Sequence, residues 1–212
     1  MRPRKKKHGE ERLKRVENLF AEKIDGVVDI AATFKGVPEE LRLELGCGKG
    51  DFACNTALRE PQVSYLALEK VADVIMLAME KADAMSVPNL RFIHADASDL
   101  GSLLPEHCVD VLYINFCDPW PKKRNAKRRL TFRGFLESYK RFLKPGGHIC
   151  FKTDNRPLFD FSLCEFEAAG YRICDVTYDL RSSEYANDNV MTEYERTFSE
   201  RGVPINRLVA YL

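Results

Sequence analysis

The sequence predicts an α/β fold with a mostly parallel seven-stranded sheet, an antiparallel edge and helices on both faces. Short apolar runs rich in Val, Ile, Leu and Tyr alternate with helix-length periodic segments, a pattern typical of parallel α/β sheets. The chain has 212 residues, of which 45% are hydrophobic, and this is enough for one sizeable core. We therefore predict a single domain over residues 1–212.

Seven strand-like runs and six helical segments make up this architecture. The predicted strands are 41–45, 63–69, 90–95, 109–116, 148–154, 171–180 and 206–212. The predicted helices are 10–22, 51–59, 71–85, 131–143, 156–169 and 192–201. LKPGG at 143–147 is expected to end the fourth of these helices and to turn the chain into the next strand. The last two strands are joined without a helix comparable to the early ones, which favours antiparallel pairing at the edge.

Composition excludes several classes of protein. The apolar stretches fall well short of the roughly 20 residues that a membrane-spanning helix needs, and the charged N-terminus lacks the apolar segment of a secretory signal. Seven cysteines without a CxxC pair favour reduced thiols over a disulfide framework or a zinc cluster. We expect a cytoplasmic protein that binds neither a membrane nor a metal.

Charge is unevenly distributed, although the net charge is only +1. Residues 1–15 carry eight Lys/Arg against two Glu, and residues 122–133 carry seven Lys/Arg and no acid. Two basic clusters on an acidic remainder are expected when a polyanion binds locally. Residues 1–15 are equally well explained as a flexible, solvated tail.

A glycine-rich turn follows the first long strand, in Glu44-Leu45-Gly46-Cys47-Gly48-Lys49-Gly50. Glycines allow a tight turn and a close approach of the backbone to a ligand at the carboxyl end of a strand. The spacing differs from the GxGxxG of dinucleotide-binding proteins. A carboxylate at Glu44 suits the ammonium or sulfonium group of S-adenosylmethionine better than a phosphate.

Acidic residues also end the next two strands. Glu69 is placed to accept hydrogen bonds from the hydroxyls of an adenosine ribose, as NAD enzymes also arrange, and Asp96 is placed to hold the adenine amino group. Each acid alone can equally be a helix cap or a solvated loop residue. Acids at three successive strand ends favour a nucleoside cofactor.

The fourth strand leads into Asp118-Pro119-Trp120-Pro121 and then into the basic run. A polar residue followed by Pro and an aromatic is similar to the D/N-P-P-Y/W signature of methyltransferases that modify nitrogen atoms of bases. The prolines restrict the loop, and Trp120 is expected to pack against it, with base stacking as the alternative. The adjacent positive charges have the spacing to contact phosphates.

Together these motifs resemble the bacterial tRNA (guanine-N7)-methyltransferases, which methylate guanosine 46 of the tRNA variable loop. The resemblance rests on DPWPKKRNAKRRL at 118–130, KTDN at 152–155 and TEYE at 192–195, and it covers nearly the whole chain. It implies a Rossmann-like class I methyltransferase fold, S-adenosylmethionine as cofactor and tRNA as substrate. Cys117 and Asn125 stand where the family usually has Ser and often has His.

The resemblance also implies roles for individual residues. The cofactor-binding residues would be Glu44, Gly46, Gly48, Glu69, Asp96 and Asp118, with Asp118 also catalytic. The guanosine site would contain Lys122, Asp154, Thr192, Glu193, Tyr194 and Glu195. The RNA contacts would be Arg124, Asn125, Ala126, Lys127, Arg128 and Arg129. Independently of any ligand, Thr192 and Glu195 have the spacing of a capping box at a helix N-terminus.

Three other functions are compatible with parts of the sequence. An NAD-dependent oxidoreductase would share the glycine turn and Glu69, but none of the four histidines lies in a context suited to hydride transfer. A non-catalytic RNA-binding protein would explain the basic clusters but not the acids at the strand ends. A methyltransferase for another RNA position or for a protein amide is the closest alternative, although an amide would not require the basic run.

Overall fold

The computed structural model describes residues 8–199 and 201–212. The chain divides into two compact units, residues 1–105 and 106–212. Among the described residues, seven strands belong to one mixed sheet. The predicted α/β fold with a seven-stranded sheet is confirmed, whereas the single domain over residues 1–212 stays a prediction.

The helices and strands have the following bounds. The helices are α1 Gly9–Arg15, α2 Ile30–Phe34, α3 Asp51–Arg59, α4 Ala72–Ala84, α5 Leu100–Leu103, α6 Arg133–Phe142, α7 Arg156–Ala168 and α8 Glu193–Ser199. The strands are β1 Lys23–Ile24, β2 Val27–Val28, β3 Leu41–Leu45, β4 Ser64–Glu69, β5 Leu90–His94, β6 Val109–Asn115, β7 Leu143–Thr153, β8 Arg172–Thr177 and β9 Asn206–Tyr211. No helix of the described residues has both the length and the apolar character needed to span a membrane.

In the first unit, β4 lies between β3 and β5 and pairs in parallel with both. These strands form because apolar side chains such as Leu43, Leu66 and Phe92 are fully buried on the sheet. Parallel pairing brings the carboxyl ends of all three strands to the same edge. Glu44, Glu69 and Asp96 therefore lie at or just beyond that edge.

In the second unit, β6 and β7 are parallel, and β9 inserts antiparallel between β7 and β8. The predicted antiparallel edge is therefore confirmed. Ile149 and Phe151 of β7 are fully buried, and the Phe151 ring stacks on Phe159 of α7 with centroids 6.1 Å apart. This packing fixes the strand that carries the KTDN motif at its carboxyl end.

The prediction for LKPGG is wrong in its details. Helix α6 ends at Phe142, and the strand already begins at Leu143. Leu143 lies opposite Val109, but His148 lies opposite Val111, so the four residues between 143 and 148 form an irregular bulge opposite a single residue of β6. Gly146 in this bulge has φ +80°, a conformation that favours glycine. Proline and glycine therefore lie within an irregular part of the strand. The prediction places them in a turn before the strand.

The predicted helix over 10–22 is too long. Helix α1 ends at Arg15, a short 3-10 helix follows at Glu17–Leu19, and Phe20 then forms a bridge with Phe92 of β5. Residues 1–7 of the predicted basic tail lie outside the described residues. Within the remainder, Arg12 donates from Nε to Glu80 of α4 at 2.7 Å.

Candidate active site

The predicted site residues fall into two groups, one in each unit, and the first is organised by the glycine turn. Gly46 and Gly48 have φ values of +70° and +57°, and a Cβ placed on either residue would meet no described atom within 4 Å beyond the glycine itself and its two chain neighbours. A Cβ on Gly50, which has φ +81°, would lie 2.9 Å from the Cβ of Ala78 in α4. Gly50 is therefore needed for helix packing, whereas Gly46 and Gly48 leave open space beside the backbone.

Glu69 joins the end of β4 to this turn. Its Oε2 accepts from the backbone N–H of Gly48 at 3.2 Å, and its Oε1 accepts from the N–H of Val71 at 2.9 Å. The side chain is 9% exposed. The carboxylate is thus held against the glycine turn, with little freedom to move.

Glu44 lies close to the same turn. It is buried, and its charge acts on the neighbouring Cys47 together with that of Glu69. The pKa of the Cys47 thiol is raised well above its usual value, first by burial and then by Glu44 and Glu69. This makes the thiol unreactive. Two carboxylates, those of Glu44 and Glu69, therefore lie beside the turn, which suits a cationic ligand.

Asp96 caps the 3-10 helix Ala97–Asp99. Its Oδ1 accepts from the Ser98 N–H at 3.0 Å and from the Ser98 hydroxyl at 2.9 Å, and these bonds lower the pKa of the exposed carboxyl. The capping interpretation is therefore confirmed. Binding of an adenine amino group by the same ionised carboxylate stays a prediction.

In the second unit, the Asp118 loop has an unusual backbone. Phe116 and Trp120 have φ values of +50° and +41°, although neither is glycine. Asp118 lies between them and is exposed. The Trp120 ring packs beneath the guanidinium of Arg128, with Cζ 4.9 Å from the ring centroid. The loop thus presents a carboxylate on a constrained backbone.

The basic run begins directly after this loop and forms the 3-10 helix Lys123–Arg128. Most of its charged side chains are exposed, namely Lys122, Lys123, Arg124, Lys127 and Arg128. Asn125, Ala126 and Arg129 are half-buried. The exposed members therefore form a positive surface beside the Asp118 loop.

Tyr194 of α8 lies close to Asp154 at the end of β7. The pKa of Tyr194 is raised by partial burial and by the charge of Asp154. Its ring lies 5.0 Å from that of Phe116 and 4.3 Å from that of Phe198, measured between centroids. Residues of the KTDN and TEYE motifs are therefore brought together at the loop that follows β6.

Lys152 of β7 binds the TEYE segment and the residues just before it through three hydrogen bonds. Its Nζ donates to Glu195 Oε2 at 2.6 Å, to Asn189 Oδ1 at 3.0 Å and to the carbonyl of Val190 at 2.9 Å. Lys152 is 5% exposed and Glu195 is 1% exposed. Asn189 Nδ2 donates to Glu195 Oε1 at 2.6 Å. The Glu195 carboxylate thus anchors the segment, and its contact with guanosine stays a prediction.

The capping-box prediction holds in one of its two parts. The hydroxyl of Thr192 accepts from the N–H of Glu195 at 2.8 Å, as expected of an N-cap residue. The Glu195 side chain does not close the box, because its oxygens accept from Lys152 and Asn189.

Comparison with known proteins places the chain in a family. A family model described as "Putative methyltransferase" matches residues 38–208. A protein of Lachnoclostridium phytofermentans named tRNA (guanine-N(7)-)-methyltransferase is 46% identical over 81% of this chain and 80% of its own length. A protein of the same name from Streptococcus mutans is 40% identical over 99% of both chains. The chain belongs to the tRNA (guanine-N7)-methyltransferase family. The predicted family and enzyme class are confirmed.

Solved structures share the fold of this methyltransferase. The 16S rRNA methyltransferase KamB superposes with a TM-score of 0.67 at 15% identity, over 92% of this chain and 98% of that chain. A SAM-dependent methyltransferase from Aquifex aeolicus superposes with a TM-score of 0.57 at 16% identity, over 97% and 99%. The predicted Rossmann-like methyltransferase fold is confirmed.

Sequence reasoning missed several residues that shape the methyltransferase. No role is predicted for Lys152, although a lysine at the end of the apolar run HICF indicates a buried charge that needs a partner. Asn189 gives no such signal, because it lies in a polar segment between strands. The ring of Phe116 packs against that of Tyr194, and no sequence motif predicts this contact.

Proposed function

We propose that this methyltransferase transfers a methyl group from S-adenosylmethionine to N7 of guanosine 46 in the variable loop of tRNA, and that it works in the cytoplasm. The observation that carries the proposal is the assembly of Asp154 with Tyr194 and Phe116. These residues come from three segments that together span about 80 positions of the chain, and they lie in the unit that also carries Asp118 and the basic run. A nucleobase bound there could stack on an aromatic ring and donate hydrogen bonds to a carboxylate.

The residues at the glycine turn fit S-adenosylmethionine. When bound, this cofactor supplies an electrophilic methyl group on a positively charged sulfur. Gly46 and Gly48 leave room for a ligand against the backbone, and the carboxylates of Glu44 and Glu69 suit a cation. Glu69 would accept from the ribose hydroxyls and Asp96 from the adenine amino group. A phosphate would be repelled by the same carboxylates.

The chemistry at guanine requires orientation more than activation. N7 carries an in-plane lone pair and no proton at neutral pH, so no general base is needed. The residues must hold N7 in line with the bond that breaks and offset the positive charge that moves onto the purine ring. Asp118 is exposed on a constrained loop, so its carboxylate can supply that charge without rearrangement of the backbone.

Asp154 and Tyr194 would recognise the base. A carboxylate can accept from N1–H and from the amino group of guanine, which distinguishes guanine from adenine. The Tyr194 ring is 45% exposed and offers a stacking face. The exposed cations from Lys122 to Arg128 would contact the phosphates next to the target nucleotide.

Replacement of Glu69 by Gln is expected to weaken binding of S-adenosylmethionine about 10- to 100-fold, since a hydrogen bond to a charged group contributes about 1.5–3 kcal/mol. Isothermal titration calorimetry measures this change. Glu137→Gln, on an exposed residue of α6, is the matched control and should bind as the wild type does. Unchanged affinity in Glu69→Gln would remove Glu69 from the cofactor site.

The proposed function is tested with tRNA transcripts and labelled S-adenosylmethionine. A transcript with guanosine at position 46 should accept one methyl group, and one with adenosine at that position should accept none. Equal labelling of both transcripts would indicate another RNA position. Labelling of a protein substrate, with no labelling of either transcript, would indicate the amide-directed alternative.

A further inference from the structure

Arg129 differs from the exposed cations of the basic run in where its guanidinium lies. Its Nε donates to the carbonyl of Pro119 at 3.0 Å, and its Nη2 donates to the carbonyl of Trp120 at 3.1 Å. The guanidinium also lies over the ring of Phe161 in α7, with Cζ 4.2 Å from the centroid. The charged group is therefore directed at the Asp118 loop and at the protein interior.

The loop that Arg129 contacts depends on external support. Trp120 adopts φ +41° and Phe116 adopts φ +50°, in the left-handed region that residues with a Cβ rarely occupy. Such a backbone persists only when surrounding contacts hold it. Arg129 contacts the carbonyls of the two residues that follow Asp118, so it acts on the part of the loop that sets the direction of this carboxylate.

The residues after Arg129 are themselves fixed. The carbonyl of Leu130 accepts from the Tyr139 hydroxyl at 3.0 Å. The hydroxyl of fully buried Thr131 lies 2.7 Å from that of Ser162. Arg129 therefore extends from a rigid segment to the loop and ties the two together.

We propose that Arg129 is a positioning residue for Asp118 and not a contact to the tRNA backbone. This inference rests on the proposed function, in which Asp118 is the catalytic carboxylate. The planar guanidinium donates to two carbonyls at once while its face covers an aromatic ring. A lysine has the same charge but not this geometry. For the position of the Asp118 loop, the planar shape of the group at position 129 therefore matters more than its charge.

The test compares Arg129→Lys with Lys127→Gln, which removes an exposed charge from the same run. Arg129→Lys should lower kcat at least 10-fold while the affinity for tRNA and its salt dependence stay unchanged. Lys127→Gln should weaken tRNA binding and reduce the slope of log K against log salt by about 1. Phe161→Leu, which removes the ring beneath the guanidinium, should lower kcat in the same direction but by less.

Trp120 provides a second readout that does not depend on activity. It is the single tryptophan of the chain, so intrinsic fluorescence reports on the loop directly. Arg129→Lys should shift the emission maximum and increase quenching by acrylamide, and Lys127→Gln should do neither. If wild-type protein methylates no tRNA, the proposed function fails, while the fluorescence still decides whether Arg129 holds the loop.

Two results would overturn the proposal. One is an Arg129→Lys variant with wild-type kcat and wild-type Trp120 emission. The other is an Arg129→Met variant whose salt slope falls by about 1 while kcat is kept, since that is the behaviour of a phosphate contact.

Discussion

A Lys152→Met variant is expected to lose about 3–5 kcal/mol of unfolding free energy, because removing one partner leaves a buried charge without its counterion. Glu195 is 1% exposed and accepts from Lys152 at 2.6 Å, so water cannot replace the missing ammonium. Methyl transfer should fall as well, because the Val190 carbonyl and Asn189 lose the donor that holds the TEYE segment to β7. Denaturant titration followed by circular dichroism measures the stability.

Two controls separate the buried pair from a general effect of charge removal. Arg141→Met removes one partner of the exposed Arg141–Glu106 pair, and this should cost less than about 1 kcal/mol. The double variant Lys152→Met/Glu195→Leu replaces both charges with apolar groups and should recover much of the stability. Its methyl transfer should stay low, since the hydrogen bonds to residues 189 and 190 are still absent. Equal stability of Lys152→Met and Arg141→Met would contradict the role given to this ion pair.

Replacement of Asp118 by Ala is expected to reduce kcat about 100- to 1000-fold, the usual effect of removing a preorganised group that stabilises charge in the transition state. Asp118→Asn should be nearly as defective, because the amide keeps the shape of the side chain but not its charge. The thermal midpoint should change little in either variant, since Asp118 is exposed. Single-turnover methyl transfer with saturating tRNA measures the chemical step.

Asp160→Ala is the matched control for this prediction. Asp160 is an exposed aspartate of α7 that pairs with Arg156 on the helix surface, and its loss should leave kcat unchanged. An Asp118→Asn variant with undiminished turnover would show that the charge at position 118 does not contribute to the reaction.

Much of the sheet could be predicted because its elements are locally encoded. Strand β3 and helix α3 have the predicted bounds, 41–45 and 51–59, since an apolar run meets a glycine turn and an amphipathic segment there. The hairpin of β1 and β2 could not be predicted, because strands of two residues show no alternation. The start of β7 was missed because the bulge at 144–147 depends on pairing with β6, not on the local sequence.

For the candidate site, the sequence indicates which residues carry the chemistry better than it indicates how they are held. The positions of Glu69 and Asp154 follow from their place at strand ends. The contact of Lys152 with Glu195 and the effect of the Asp154 charge on Tyr194 join residues about 40 positions apart, and they arise from tertiary packing. Arg129 could not be distinguished by sequence, because a run of basic residues indicates charge and not the direction of each side chain.

The central claim is tested most directly by transferring a labelled methyl group from S-adenosylmethionine to bulk tRNA and analysing the nucleosides of the product. We predict that the label is recovered in 7-methylguanosine. Label in a different nucleoside, or no transfer to tRNA by a protein that binds the cofactor, would contradict the claim.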